Sequence, residues 1–256
     1  MADLLLRSAF CYNNDMKQKI RRIVAVLFVF FGVGIWVFLN PESYDTIFTK
    51  VENDGADYAA EAVTEANAEV PLATEVLEKL EVKGRAPKTG YTRDEFYSGW
   101  PTVDGCSLRQ KIIKREFGDT AVLDECNVMA GEYDEPYTGE HKIFSTREEI
   151  SKGVQIDHVV ALSDAWQKGA QYLEREVRYN IATDPLNLLA VDAVANEQKS
   201  DGDAATWLPS NKKFRCQYVA RQVSVKYKYG MWVTEAEKSA ISNVLSNCPN
   251  EPAVGV

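Results

Sequence analysis

The feature that most constrains this chain is an uninterrupted apolar stretch from Ile23 to Leu39. As a helix it would span about 26 Å at roughly 1.5 Å per residue, close to the bilayer hydrocarbon thickness of about 30 Å. Four basic residues lie just before it, namely Lys17, Lys19, Arg21 and Arg22. Because positive charge stays inside, we expect a cytoplasmic N-terminus over residues 1–22, a transmembrane signal anchor over 23–39 and an exported remainder, which is a single-pass protein of the cell membrane. A cleaved signal peptide would instead give a secreted protein, although no small-x-small cleavage site follows Leu39.

Four cysteines follow the apolar stretch, namely Cys106, Cys126, Cys216 and Cys248. An even number of cysteines in an exported domain indicates disulfides, because the space outside the cytoplasm is oxidising. Four cysteines allow three pairings, and we expect Cys106–Cys126 and Cys216–Cys248, the pairs nearest in sequence. A zinc site built from all four thiolates is the competing interpretation, which the absence of a Cys-x-x-Cys spacing disfavours.

The remainder divides into a charged linker, a domain and a tail. Residues 40–90 are acidic and alanine-rich, which is typical of a solvated stalk, and the glycines and proline between 83 and 90 indicate a flexible entry to the domain. Residues 91–248 alternate short helical and strand patterns, which predicts an α+β domain. Residues 249–256 form a C-terminal tail.

The middle of this domain carries a strand–strand–helix pattern. Apolar, β-branched runs predict one strand over residues 154–160 and a second over 188–191. A short helix is predicted directly after the second strand, over residues 193–200.

Five side chains in or beside these elements suit metal-assisted cleavage of a phosphodiester: Asp157, His158, Asn187, Asn196 and Lys199. A divalent ion such as Mg²⁺ or Mn²⁺ needs oxygen ligands, which Asp157 and Asn196 can supply. An attacking water needs a base near neutral pH, and His158, one of only two histidines in the chain, fits without perturbation. A packed histidine, a turn aspartate and a helix-cap asparagine remain the alternative interpretations.

This pattern resembles the motif of HNH nucleases, whose three parts are matched by Asp157-His158, Asn187 and Asn196-x-x-Lys199. The longer runs between Val154 and Pro209 are similar to a subgroup of secreted or membrane-anchored bacterial HNH proteins. This subgroup is related to the C-terminal domain of GmrSD-type restriction enzymes. The resemblance covers roughly residues 91–248 and implies a ββα-metal core with flanking helices.

The resemblance also implies the role of each residue in an endonuclease that uses one divalent ion. His158 would be the general base, and Asp157 and Asn196 would hold the ion. Asn187 would bond the backbone across the loop and so orient the base. Lys199 would contact a phosphate, with a solvated lysine as the alternative.

Four basic residues on a predicted helix over 214–229 are candidates for substrate binding: Arg215, Arg221, Lys226 and Lys228. Interleaved tyrosines could stack on bases, although an ordinary amphipathic helix has the same pattern. The formal net charge of -9 argues against a tight nucleic-acid binding module and not against an enzyme that must release its product. We therefore expect a nucleic-acid substrate, DNA rather than RNA, and no protein partner. A catalytically inactive nuclease-like surface binding module and a structural envelope protein are the alternatives.

Overall fold

The computed structural model of this chain describes residues 70–255. The predicted cytoplasmic segment 1–22, the apolar stretch 23–39 and the predicted stalk up to residue 69 lie outside the described residues. Among residues 70–255, none of the helices combines the length and the hydropathy that crossing a membrane requires.

Helices and short strands alternate along the described chain, which confirms the predicted α+β class. The helices are α1 (Ala73–Lys79), α2 (Leu108–Phe117), α3 (Arg147–Gly153), α4 (Leu162–Gln167), α5 (Arg175–Thr183), α6 (Ala193–Lys199), α7 (Arg215–Lys228) and α8 (Glu235–Leu245). The strands are β1 (Thr102–Val103), β2 (Cys106–Ser107), β3 (Val122–Asp124), β4 (Asn127–Asp134), β5 (His141–Phe144), β6 (Val154–His158) and β7 (Leu188–Asp192). They form three small antiparallel sheets, β1-β2, β3-β4-β5 and β6-β7.

Strands β6 and β7 form an antiparallel pair that is followed at once by α6. In this pair Val154 lies opposite Asp192, and His158 lies opposite Leu188. Asp192 ends β7 and begins α6, because its carboxylate accepts a hydrogen bond of 2.8 Å from the backbone N–H of Ala195. This is the usual N-cap arrangement of aspartate. The chain between the two strands contains α4 and α5.

Strand β7 is buried on both faces, because it separates two hydrophobic clusters. Leu189 and Val191 point into the cluster that includes α1, α7 and α8. Leu188 and Ala190 point into the cluster formed by α2, β4 and β6. Successive residues of a strand point to opposite faces, so a strand buried on both faces reads as a continuous apolar run. Since each buried aliphatic side chain stabilises the fold by roughly 1.5–3 kcal/mol, this packing fixes the strand pair and α6.

Two disulfides tie peripheral elements to the domain. Cys106 in β2 is bonded to Cys126, which lies just before β4. Cys216 at the start of α7 is bonded to Cys248, which follows α8. These are the pairs nearest in sequence that we expect. Because all four sulfurs are used in these bonds, the alternative zinc site of four thiolates is excluded.

The folded unit begins before residue 91, earlier than the sequence predicts. Helix α1 lies within the predicted stalk, and its Val76 and Leu77 are buried in the cluster with α7 and α8. Downstream, the backbone N–H of Ala86 donates to the carbonyl of Gln167 at 2.8 Å. The acidic residues of α1 misled the prediction because they cover only its solvent side.

The C-terminal tail is likewise part of the fold. The backbone N–H of Ala253 donates to the carbonyl of Pro71 at 2.8 Å, and that of Ala73 donates to the carbonyl of Glu251 at 2.9 Å. Ala253 is buried. These bonds hold the tail against the start of α1, a long-range pairing that the local sequence does not indicate.

Candidate active site

The end of β6 and the side of α6 open onto a polar cavity of about 510 Å³. It is lined by Lys88, Tyr91, Arg93, Gln155, Ile156, Asp157, His158, Ala161, Leu162, Ser163, Asn196, Glu197, Ser200 and Asp201. The structure thus brings three of the predicted site residues, Asp157, His158 and Asn196, to one cavity. The other two, Asn187 and Lys199, are buried and do not line it.

His158 ends β6 and is only 5% exposed. Its Nε2 lies 2.9 Å from the carbonyl oxygen of Ala182, and because a carbonyl can only accept, Nε2 carries the proton. The other ring nitrogen, Nδ1, makes no hydrogen bond within residues 70–255, and His158 lines the cavity. Burial lowers the pKa of His158 to about 3. The imidazole is therefore neutral at neutral pH, with Nδ1 free to accept a proton.

Asn187 fastens the residues that follow His158 to those that precede β7. Its Oδ1 accepts from the backbone N–H of Val160 at 2.8 Å, and its Nδ2 donates to the carbonyl of Ile181 at 3.0 Å. Its own carbonyl accepts from the N–H of Val159 at 2.8 Å. Because a fully buried amide needs such partners, Asn187 fixes the path of the chain on which His158 sits.

The Asp157 carboxylate accepts hydrogen bonds from two buried side chains. Its Oδ1 accepts from the Lys199 ammonium at 2.9 Å, and its Oδ2 accepts from the Tyr137 hydroxyl. Lys199 also donates to the carbonyl of His158 at 2.8 Å. Burial raises the pKa of Asp157, while Lys199 and Tyr137 act in the opposite direction. Since Lys199 is only 2% exposed, the predicted phosphate contact by this residue is wrong, and its amino group instead orients Asp157.

Tyr137, which the sequence analysis missed, reaches Asp157 from the loop between β4 and β5. Its ring is fully buried against the rings of Trp207 and Tyr218, at centroid distances of 5.0 and 5.7 Å. Glu135 fixes this loop by accepting from the N–H of Tyr137 at 3.0 Å. No motif spacing marks this tyrosine, because the contact joins two distant elements.

Asn196 faces the cavity from the middle of α6, so the interpretation as a helix cap does not hold. Its Nδ2 donates to Oε1 of Gln155 at 2.7 Å. Its Oδ1 accepts no hydrogen bond from the described part of the chain. The amide oxygen is therefore available as a ligand on the cavity wall.

The donor set around Asn196 fits a hard divalent cation. Asp157, Asn196 and Glu197 line the cavity, and carboxylate and amide oxygens are ligands of the kind that Mg²⁺ prefers. Mg²⁺ also keeps several waters and needs only one or two protein carboxylates, which suits a polar cavity with few protein ligands.

Another grouping of potential ligands within residues 70–255 is formed by Cys216, Cys248 and Glu251. Its two sulfurs form a disulfide, and disulfide sulfur does not serve as a thiolate ligand. This grouping is therefore not a metal site, and the oxygen-lined cavity is the better candidate.

None of the four basic residues predicted to bind substrate lines the cavity: Arg215, Arg221, Lys226 and Lys228. The two arginines donate to backbone carbonyls. Lys226 is fully buried between Asp164 and Glu237. Lys228 pairs with Asp184 at 2.7 Å. Lys226 is therefore inaccessible to a substrate, so its predicted contact is wrong, whereas substrate binding by the other three stays a prediction.

The cations that do line the cavity are Lys88 and Arg93. The sequence analysis missed both, because Lys88 falls within the predicted stalk and Arg93 lies just beyond it. Their position next to His158 depends on long-range packing of the N-terminal residues on the domain. Local sequence carries no signal for it.

Two comparisons with known proteins bear on this cavity. The model of the family GmrSD restriction endonucleases, C-terminal domain, matches residues 108–244, which include β6, β7 and α6. The chain is also similar to an uncharacterized secreted protein of Arthroderma benhamiae (strain ATCC MYA-4681 / CBS 112371). The two are 34% identical over 179 residues, which cover 69% of this chain and 84% of that protein. No solved structure gives a significant match.

The second comparison corrects the predicted location. That protein is described as secreted, whereas we expect from the sequence a single-pass protein of the cell membrane, anchored through residues 23–39. The expected membrane location is contradicted by this similarity. The apolar stretch and its basic neighbours are shared by signal anchors and by cleaved signal peptides, so they do not decide between the two.

Proposed function

We propose that this chain, which belongs to the family of the C-terminal domain of GmrSD restriction endonucleases, is a secreted nuclease that hydrolyses phosphodiester bonds of nucleic acid. The observation that carries the proposal is a polar cavity that His158, Asp157 and Asn196 line together. The secreted relative and the two disulfides support secretion. The words restriction endonuclease in the family description favour DNA over RNA.

We interpret β6, β7 and α6 as the ββα-metal unit of an HNH nuclease. In this interpretation the first strand supplies Asp157 and His158, and the helix supplies Asn196. The support is that all three line one cavity although they lie on two different elements. Asn187, on the loop, holds the end of the first strand in place.

In the proposed reaction, His158 takes a proton from the attacking water through Nδ1. The hydrogen bond from Nε2 to the carbonyl of Ala182 fixes this tautomer. Burial lowers the pKa of His158 below the unperturbed value that the sequence analysis assumed, so the ring is unprotonated at neutral pH and the Nδ1 lone pair is available. A positioned general base of this kind typically contributes about 10² to 10⁴ in rate.

Asp157 and Asn196 would hold the divalent ion, which we propose to be Mg²⁺ or Mn²⁺. When bound, such an ion stabilises negative charge on the scissile phosphate and on the leaving oxygen. Lys199 and Tyr137 contribute by fixing the Asp157 carboxylate in one orientation, since each donates to one of its two oxygens. Supporting hydrogen bonds of this kind commonly change metal affinity or activity by about 10- to 100-fold.

The test is a cleavage assay on the full-length chain with its disulfides formed. Plasmid DNA and a structured RNA are incubated with Mg²⁺, Mn²⁺ or EDTA. We expect metal-dependent cleavage that falls by at least about 10² in His158→Ala. The matched control is His141→Ala, since His141 is half-exposed on β5, pairs with Asp134 at 2.8 Å and does not line the cavity. It should cleave at the normal rate.

Normal cleavage by His158→Ala would show that the proposed base is wrong. Absence of cleavage by the folded wild-type chain with either ion would instead favour the alternative of an inactive binding module. A Mn²⁺ titration followed by electron paramagnetic resonance would then show whether the oxygen ligands still bind an ion.

A further inference from the structure

One wall of the cavity comes from outside the residues that match the family. We call residues 83–97 the N-terminal strap, and the family match begins only at residue 108. The strap is fixed to the domain by backbone contacts. The N–H of Ala86 donates to the carbonyl of Gln167 at 2.8 Å, and the indole N–H of Trp232 donates to the carbonyl of Gly84 at 3.1 Å. These hydrogen bonds fix the strap on the domain, so that it forms one wall of the cavity.

Two basic residues, Lys88 and Arg93, are among those that line the cavity, and both belong to this strap. The Arg93 guanidinium lies over the Tyr97 ring, 5.1 Å from its centroid, and donates to the Tyr97 hydroxyl. The Tyr97 ring in turn lies 5.8 Å from the His158 ring. Through these contacts, Arg93 is held on the same side of the cavity as the proposed base.

The two strap cations differ in how far they are neutralised. Lys88 pairs with Asp201 at 3.1 Å, and both side chains are half-exposed. Arg93 forms no ion pair with any carboxylate in the described part of the chain. A guanidinium has five N–H donors in a planar fork that matches phosphate, and only one of these is used on Tyr97. Arg93 is therefore the cavity cation with the most unused capacity for an anion.

We propose that Arg93 binds a backbone phosphate of the nucleic acid next to the bond that is cut, with Lys88 as the contact to a neighbouring phosphate. This inference rests on the proposed function and names the residues that hold its substrate. Lys88 can exchange Asp201 for a phosphate at little cost, because an exposed ion pair is screened by water and contributes little to stability. In this proposal, the phosphates of the substrate are bound by the strap and not by α7.

The test measures binding of a fluorescent DNA duplex by anisotropy at several salt concentrations. All proteins are full-length and carry His158→Ala, in EDTA, so that the DNA stays intact. Arg93→Ala should weaken binding by about tenfold or more, because the phosphate loses a hydrogen bond from a charged donor. It should also reduce the slope of log affinity against log salt by about 0.9, the contribution of one phosphate contact. Arg93→Lys should recover most of the slope.

The matched control is Arg175→Ala, which removes an exposed arginine at the start of α5 that does not line the cavity. It changes the net charge equally and should leave the slope unchanged. The inference is overturned if Arg93→Ala keeps the wild-type slope, if Arg175→Ala loses as much, or if Arg93→Lys is no better than Arg93→Ala. The last outcome would mean that Arg93 only packs the strap on Tyr97.

Cleavage by the protein with His158 intact is measured in parallel to separate the two proposals. If that protein cleaves while Arg93→Ala keeps the full slope, only the role of Arg93 is wrong. If it neither cleaves nor binds either nucleic acid, the proposed function is wrong and this inference is wrong with it.

Discussion

Lys226 and Lys228 lie two positions apart on α7, but the first is buried and the second is exposed. Replacing each in turn therefore tests how much the buried ion pairs contribute to stability. Lys226 is 0% exposed, whereas the side chain of Lys228 is 44% exposed. Lys226 belongs to an interior ion cluster whose members are Arg85, Asp164, Lys168, Asp203, Lys226 and Glu237. Three cations face three carboxylates, so the cluster is formally neutral. Burial opposes the charge of Lys226, but Asp164 and Glu237 outweigh it and raise its pKa.

Lys226→Met should therefore be strongly destabilising. It leaves Lys168 and Arg85 to balance three buried carboxylates, an excess of one negative charge. Removing one partner from a buried ion pair costs about 3–5 kcal/mol, which is a large part of the 5–15 kcal/mol by which domains are typically stable. Lys228→Met breaks only an exposed pair with Asp184 and should cost about 0–1 kcal/mol.

The assay is equilibrium unfolding in urea, followed by tryptophan fluorescence with the disulfides intact. At a typical slope of about 2 kcal/mol per molar urea, Lys226→Met should lower the midpoint by about 2 M. Lys228→Met should lower it by no more than about 0.5 M. The folded fraction of both variants should bind DNA normally, since neither lysine lines the cavity.

A double variant tests whether charge balance is the cause. Lys226→Met with Glu237→Gln leaves two cations and two carboxylates, and should recover about 1 kcal/mol or more relative to the sum of the two single changes. If Lys226→Met is no less stable than Lys228→Met, the interior ion cluster does not exist as described. If the double variant shows purely additive losses, the cost comes from lost packing and not from unbalanced charge.

Two further predictions concern buried polar groups. Tyr137→Phe should weaken Mn²⁺ binding by about 10-fold or more, measured by paramagnetic resonance, because Asp157 loses a donor; Tyr133→Phe, which removes a buried hydroxyl without a partner among residues 70–255, should leave it unchanged. Stability should fall by on the order of 1–2 kcal/mol as the pH drops from about 4 to 2. Burial raises the pKa of Asp203, but the hydrogen bond and the charge of Lys168 outweigh burial and lower that pKa to about 2. As the pH falls, the Asp203 carboxylate is protonated in the unfolded chain before it is protonated in the folded chain, and this favours unfolding. Urea unfolding measured at several pH values should show a smaller loss of stability in acid for Asp203→Asn.

The parts of the site that the sequence predicts are those that a local pattern specifies. The apolar run before Asp192 predicts a strand because it is buried on both faces, and Asp192 predicts the start of a helix because its carboxylate caps it. Those two elements are short-range consequences of burial and capping. The meeting of Asp157 and His158 with Asn196 is not, because it needs β6 to pair with β7, and the sequence indicated it only through the resemblance to HNH nucleases.

The parts that the sequence does not predict depend on contacts between distant segments. The Tyr137 hydroxyl meets Asp157 across 20 positions, and Arg93 meets the His158 ring only through Tyr97. Nothing in the spacing of these residues marks them. Composition also misled at the N-terminus, because an acidic, alanine-rich segment can be a solvated linker or a helix that buries only one side.

The basic residues of α7 show why charge alone is a poor guide to a binding surface. Lys226 lies on the same basic helix as Lys228 and is not distinguished from it by the local sequence, yet its partners are Asp164 and Glu237. A lysine is neutralised by whichever carboxylates the fold brings to it, and those lie far away in sequence. The useful quantity is therefore the charge that remains unpaired at the cavity, not the charge of a helix.

By that measure, the acidic net charge of -9 and a nucleic-acid substrate are compatible. Arg93 and Lys88 provide two phosphate contacts at most, which predicts a slope of log affinity against log salt of about -1.8 for duplex DNA. Tight binders with 6–10 contacts have slopes several times steeper. A shallow slope and weak binding away from the cavity favour release of the cut product, which is what an enzyme needs and a binding module does not.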